Sequence, residues 1–220
     1  IVIDVRRIST RDGLFSVPDK GELDTLNIVI INAAGISRAY YGGVYDPSNP
    51  APPTCWSDDT QRPAAEVPEH RRQARRCLDC TQNIRGSDDG GGRACRFSQR
   101  LAVVFEDDLD KVYQLQVSAM SIFGQGRGGA TPLQAYVKFL TGRSTRAVDV
   151  ITQIYFDAQS SVPKLFFRPR RPVAGDEAET VEGMVNHADT LRAIAYQPFE
   201  VDMPSTSPFS EEDGFSIETN

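Results

Sequence analysis

The chain has no run of roughly twenty apolar residues, so no segment reads as a membrane-spanning helix. No signal-peptide pattern opens it, and it starts at Ile1 rather than Met, consistent with further residues upstream. Histidine is nearly absent, at two residues, and there is neither a phosphate-binding Walker loop nor a nucleophile elbow. Those absences remove most enzyme signatures. Cysteine is missing everywhere except one stretch, where all four occur: Cys55, Cys77, Cys80 and Cys95. Lysine and arginine are missing after Arg192, where the acids Glu200, Asp202, Glu211, Glu212, Asp213 and Glu218 stand without a cation.

What is present is polarised. Residues 71–100 hold eight arginines against three aspartates, so a net charge of −6 for 220 residues conceals a basic middle and an acidic end. Hydrophobic content of 40% supports one substantial core, with or without a small satellite.

The cysteine spacing is C-x21-C-x2-C-x14-C. A C-x-x-C pair lets one turn present two thiolates to one ion, and Cys55 and Cys95 can complete a tetrahedron. Structural zinc is the favoured reading. Two disulfides, free thiols and an iron–sulfur cluster remain open. The surrounding segment is too poor in apolar residues to hold a shape by burial alone. A structural zinc supplies on the order of 10 kcal/mol. Four thiolates leave no open coordination position, so the metal's role is structural. His70 is the nearby substitute ligand, and His187 reads as a surface residue.

Ile1–Arg7 reads as a strand, Gly13 and Pro18-Asp19 as turns, and Leu26–Ile31 as a buried strand. A short helix is expected over Pro68–Arg76. Arg100–Phe105 and Val112–Val117 read as a hairpin around Asp107–Asp110. Thr131-Pro132 reads as a helix N-cap with proline at the first helical position, leading into a helix Leu133–Leu140. Val148–Phe156 and Pro163–Arg168 read as a second hairpin. A last helix runs Glu177–Arg192, capped by Asp176, and the chain from Gln197 reads as a loosely tethered tail. The expected architecture is α+β and mainly β. It is an OB-like small barrel over 1–196, with a zinc-binding insertion at 54–100 and an acidic tail at 197–220; a generic α+β sandwich fits equally.

Arg71, Arg72, Arg75, Arg76, Arg93 and Arg96 suit a phosphate backbone. Trp56 and Phe97 are the first rings for base stacking. Lys164, Phe167, Arg168 and Arg170 continue the pattern, with one of Phe166 and Phe167 facing the core and the other available as a ring. Glu106, Asp107, Asp108 and Asp110 could bind a divalent ion as nuclease carboxylates do, though an aspartate-rich hairpin turn is the more usual explanation. Gly124–Gly129 lacks the strand–turn–helix setting of a dinucleotide fingerprint. No enzyme is expected.

The segments Cys55-Trp56-Ser57-Asp58-Asp59, Cys77-x-x-Cys80-x-x-Asn83, Gly92-Arg93-Ala94-Cys95, Leu133–Val137, Val150–Ile154 and Pro163-Lys164-Leu165 resemble a group of tailed-phage proteins over roughly 51–171. The layout is also similar to zinc-containing phage single-stranded DNA-binding proteins, although the cysteine spacing differs and a lysine-rich N-terminal arm is missing. That resemblance implies an OB core, a zinc subdomain and a tail that contacts phage replication proteins, in replication or recombination in the host cytoplasm. The expected partners are single-stranded DNA, those proteins and a second copy, with no membrane. The alternative is a virion component or host-takeover factor whose zinc module grips a protein.

Overall fold

A computed structural model describes residues 5–43 and 51–195. Most of the strand expected at Ile1–Arg7, and the whole acidic tail, lie outside them. The described chain forms two compact units, one of residues 5–36 and 98–195 and one of residues 37–97. The smaller unit therefore begins well before the insertion expected at 54–100. In chain order the strands are β1 (Arg7–Arg11), β2 (Leu14–Val17), β3 (Gly21–Leu23), β4 (Thr25–Ala33), β5 (Ser37–Tyr40), β6 (Cys55–Ser57), β7 (Cys95–Phe105), β8 (Asp108–Ser118), β9 (Val150–Phe156) and β10 (Leu165–Pro172). The helices are α1 (Ala119–Ile122), α2 (Leu133–Thr141), α3 (Gly175–Met184) and α4 (Ala188–Ile194).

The larger unit is a mixed α+β structure dominated by one sheet, ordered β10-β9-β4-β7-β8-β1-β2-β3. Neighbours are antiparallel except β1 and β8, which run parallel through Arg7↔Gln114 and Ile8↔Leu115. Asp12 and Gly13, at φ 52° and 76°, turn β1 into β2. Two successive left-handed residues suit a tight hairpin turn, and Gly carries no steric cost there.

The central strand explains the layering. Leu26, Ile28 and Ile30 enter one core, while Val29 and Ile31 enter another. A strand that alternates between two buried faces reads as an unbroken apolar run. The same division holds in β7, where Leu101, Val103 and Phe105 face one way and Ala102 and Val104 the other. The sheet curls around the first core. Phe15 of β2 and Phe156 of β9 come from near opposite ends of the strand order, yet their ring centroids are 4.5 Å apart. α2 fills the hollow: Tyr136 stacks on Phe167 at 6.1 Å, and its buried hydroxyl meets Thr152 Oγ1 at 2.7 Å. On the other face Val181, Met184 and Ala193 of α3 and α4 cover the second core. Gln114, buried on that face, donates to the Ala193 carbonyl at 2.6 Å.

Three helix expectations are corrected. Pro132 takes the N-cap position of α2, because Thr131 is engaged with β10: it accepts from Phe167 N–H at 2.8 Å and its hydroxyl donates to the Phe167 carbonyl. The last helix is two helices. The chain breaks after Met184, whose carbonyl accepts from both the His187 N–H and the Thr190 hydroxyl. His187, exposed as expected of a surface residue, caps α4 by accepting from Asp189 N–H. At the start of α3 it is Glu177, not Asp176, that caps, accepting the Ala174 N–H at 2.6 Å.

Arg171 holds Glu177 through two bonds of 2.8 and 2.9 Å and donates to Glu106 at 2.8 Å. These bonds lower the Glu177 carboxyl to about 2. A carboxyl lowered in the folded state adds stability above its unfolded value and loses it as pH falls. The stability difference between wild type and Glu177→Gln should therefore shrink between about pH 5 and pH 2 in denaturant titrations; a constant difference would contradict the pairing. Ile28→Ala should cost about 2–5 kcal/mol in the same assay.

Candidate metal centre and basic surface

The 37–97 unit has few apolar anchors. Trp56, Val67, Ala39 and Ala64 are buried, and β5 pairs with β6 through Arg38↔Ser57, Ala39↔Trp56 and Tyr40↔Cys55. Beyond this the chain is shaped by local polar contacts. Asp59 accepts from Gln61 N–H, Arg62 N–H and the Ser57 hydroxyl, which lowers its carboxyl below the usual range. The helix expected over 68–76 is only a single 3-10 turn, Glu69–Arg71. The Arg72 guanidinium instead ties back to the carbonyls of Val67 at 3.0 Å and Ala65 at 3.1 Å.

The C-x-x-C element forms the tight turn its spacing implies. Cys77 opens a 3-10 turn and Cys80 closes it, with Cys80 N–H donating to the Cys77 carbonyl. Cys55 arrives on β6 and Cys95 at the start of β7. All four cysteines are free thiols and line one cavity of about 20 Å³. Cys55, Cys77 and Cys80 are buried and Cys95 is half-buried. Among the described residues no group of three or more His, Cys, Asp or Glu side chains stands ready to hold a metal ion. His70 is exposed on the 69–71 turn and takes no part in the cavity wall.

Burial raises the Cys55 and Cys77 thiols and drives Cys95 up to about 12, with the neighbouring cysteines adding to each. Arg38 works the other way on Cys77 and Cys95. Arg38 is a residue that reading the sequence did not single out. Its signal there is weak: one arginine within the small and aromatic run Ala33–Tyr41. Only 9% exposed, it lines the same cavity, donates to the Cys77 carbonyl at 3.4 Å and lies 4.2 Å over the Phe97 ring. Its Nε has no hydrogen-bond partner. The donor set is soft sulfur, and the cavity exceeds the ~10–15 Å³ that one water needs. By donor chemistry alone the four sulfurs would suit a single thiophilic ion.

The basic candidates separate. Arg71 and Arg75 are exposed, and Arg76 is exposed with Asp79 at 3.7 Å. Arg93 is half-buried with an unpartnered Nε, and Arg96 pairs with Asp88 at 3.0 Å. Of the expected stacking rings, Trp56 is off the surface and Phe97 is half-buried. Trp56 is 8% exposed because pairing with β5 turns it inward, and Phe97 is capped by Arg38. In the larger unit Phe167 is fully buried in the curled core. Phe166, on the other face, is buried too, beside Tyr155 and beneath Lys164. Neither offers a free ring. Lys164 pairs with Asp157 at 3.5 Å, Arg168 donates to Gln153 at 2.7 Å, and Arg170 lies 3.9 Å from Glu106.

The acidic candidates do not converge. Glu106 belongs to Arg171, Asp107 to Lys20 at 2.8 Å, and Asp108 approaches Lys111, while Asp110 is exposed. No helix among the described residues is long and apolar enough to cross a membrane. Compared with protein-family models, with curated proteins and with solved structures, the chain matches none.

Trp56 is the single tryptophan, so it reports on the 37–97 unit. Its emission should be blue-shifted and poorly quenched by acrylamide in the native protein. Emission typical of a water-exposed indole contradicts its placement.

Proposed function

We propose that the protein binds single-stranded DNA with little sequence preference, and that a zinc ion held by Cys55, Cys77, Cys80 and Cys95 sets the shape of the 37–97 unit that presents the binding arginines. The observation that carries this reading is the exposure of Arg71, Arg75 and Arg76 close in sequence to the cysteine-bearing turn. With Trp56 and Phe97 covered, attraction to phosphates takes the part first given to stacking. Zinc, when bound, supplies a fixed tetrahedral crosslink and no open position for catalysis. The curled sheet of the larger unit is read as an OB-like half-barrel. The phage setting follows from the resemblance in the cysteine segments: replication or recombination in the host cytoplasm, with the acidic tail contacting replication proteins and a second copy as a possible partner.

A second reading has its own support. Leu78 and Ile84, each 61% exposed, lie on or beside the two 3-10 turns around Cys80. Exposed aliphatic residues suit a protein partner better than a phosphate backbone.

Fluorescence anisotropy with a labelled single-stranded oligonucleotide decides between them. Affinity should fall steeply with salt, by about 0.7 log units per tenfold salt for each phosphate contact. Arg71→Ala with Arg75→Ala should weaken binding and reduce that slope by roughly one to two contacts. Absent binding, or affinity flat with salt, overturns the proposal. Retention of a protein partner that Leu78→Ser and Ile84→Ser abolish favours the second reading.

A further inference from the structure

Burying a guanidinium costs several kcal/mol unless an opposite charge sits beside it. Arg38 is buried, its Nε is unpartnered, and it donates to the Cys77 carbonyl. No carboxylate lines the cavity it shares with the four cysteines. Burial lowers the Arg38 guanidinium, and Cys95, Cys77 and Cys80, which share its cavity wall, oppose that. Arg93, outside the cavity wall, is a second cation whose charge opposes that of Arg38, and its Nε is also unpartnered.

The two anomalies answer one another. Four thiols that bind a divalent ion release four protons and leave a centre of net charge −2. Two guanidinium groups, one buried and one half-buried, carry the matching charge. We propose that Arg38, together with Arg93, is the built-in counter-charge of a four-thiolate metal centre. Its position over Phe97 keeps the guanidinium against the sulfurs instead of in water. This rests on the metal reading above and adds to it a residue outside the ligand set. Arg38 positions charge and does not itself bind the ion.

The test uses the full chain loaded with cobalt(II), whose thiolate-to-metal absorption counts bound sulfurs, and competition against a chelator for affinity. Arg38→Gln keeps a donor for the Cys77 carbonyl but loses the charge; Arg38→Lys keeps the charge. Removing a partner that supports a metal's ligands typically costs about ten- to hundredfold in affinity. Arg38→Gln should show that loss together with a weakened thiolate band, and Arg38→Lys should recover most of both. Arg93→Met should show a smaller loss of the same kind. Arg38→Gln binding cobalt with wild-type affinity and band overturns the inference. If Arg38→Gln does not fold, Arg38→Lys and Arg93→Met decide. A weak Lys variant beside an unaltered Arg93→Met overturns it, and a recovered Lys variant with a weakened Arg93→Met supports it. A wild-type chain that takes up neither cobalt nor zinc instead defeats the metal reading itself.

Discussion

The demand that both faces of β4 be buried organises the larger unit. An alternating strand can leave one face wet, but Leu26, Ile28 and Ile30 on one side and Val29 and Ile31 on the other cannot. Covering the first side takes the curl that brings Phe15 to Phe156, with α2 laid into the hollow. Covering the second takes α3 and α4. Several buried polar groups sit where these layers meet and have a partner: Tyr136 with Thr152, Gln114 with the Ala193 carbonyl, Ser121 accepting from Leu165 N–H, whereas the Tyr113 hydroxyl in the first core has none. Pairing at those places turns what would be a penalty into a specification of register.

The 37–97 unit is built on the opposite principle. Its ordering comes from side chains that bond backbone, as Asp59, Arg72 and Ser87 do, and from a few buried groups. Such contacts are individually worth about 1 kcal/mol, and the cost of fixing each residue is of similar size. A unit of this kind is marginal until something larger is added, and its one internal feature of unusual chemistry is the sulfur-lined cavity with Arg38 in its wall.

Legibility in the sequence follows the same division. β4, β7, β8, β9, β10 and α2 could be read because runs or helical spacing of apolar residues mark them. β2, with Phe15 and Val17, and β5, with Ala39, carry too few apolar residues to announce themselves, since their order comes from pairing with the neighbouring strands β1, β3 and β6. The break between α3 and α4 was hidden because a histidine cap carries a weaker signal than Ser, Thr, Asp or Asn. The grouping of the four cysteines on one cavity was legible from spacing. The burial of Trp56, and of both Phe166 and Phe167 instead of one of them, was not, because an aromatic beside an arginine looks the same in sequence whether the pair faces water or packs inward.

The arginines show why composition overstates a basic surface. Arg72 is spent on its own backbone, Arg96 on Asp88, Arg146 on Asp149 and Glu182, and Arg171 on Glu106 and Glu177. Arg38 is largely withdrawn from solvent. Each of these would be counted as a phosphate ligand by charge alone. The guanidinium group serves all these uses because it is planar, weakly hydrated and never loses its charge. It follows that the cationic reach of the 37–97 unit rests on a small exposed set around Arg71 and Arg75, and that this set is only as well ordered as the cysteine-bearing turn that follows it. On the proposed metal reading, charge on the surface and charge in the cavity are different problems with one dependency: the first would be presented by a scaffold whose shape is set by how the second is compensated.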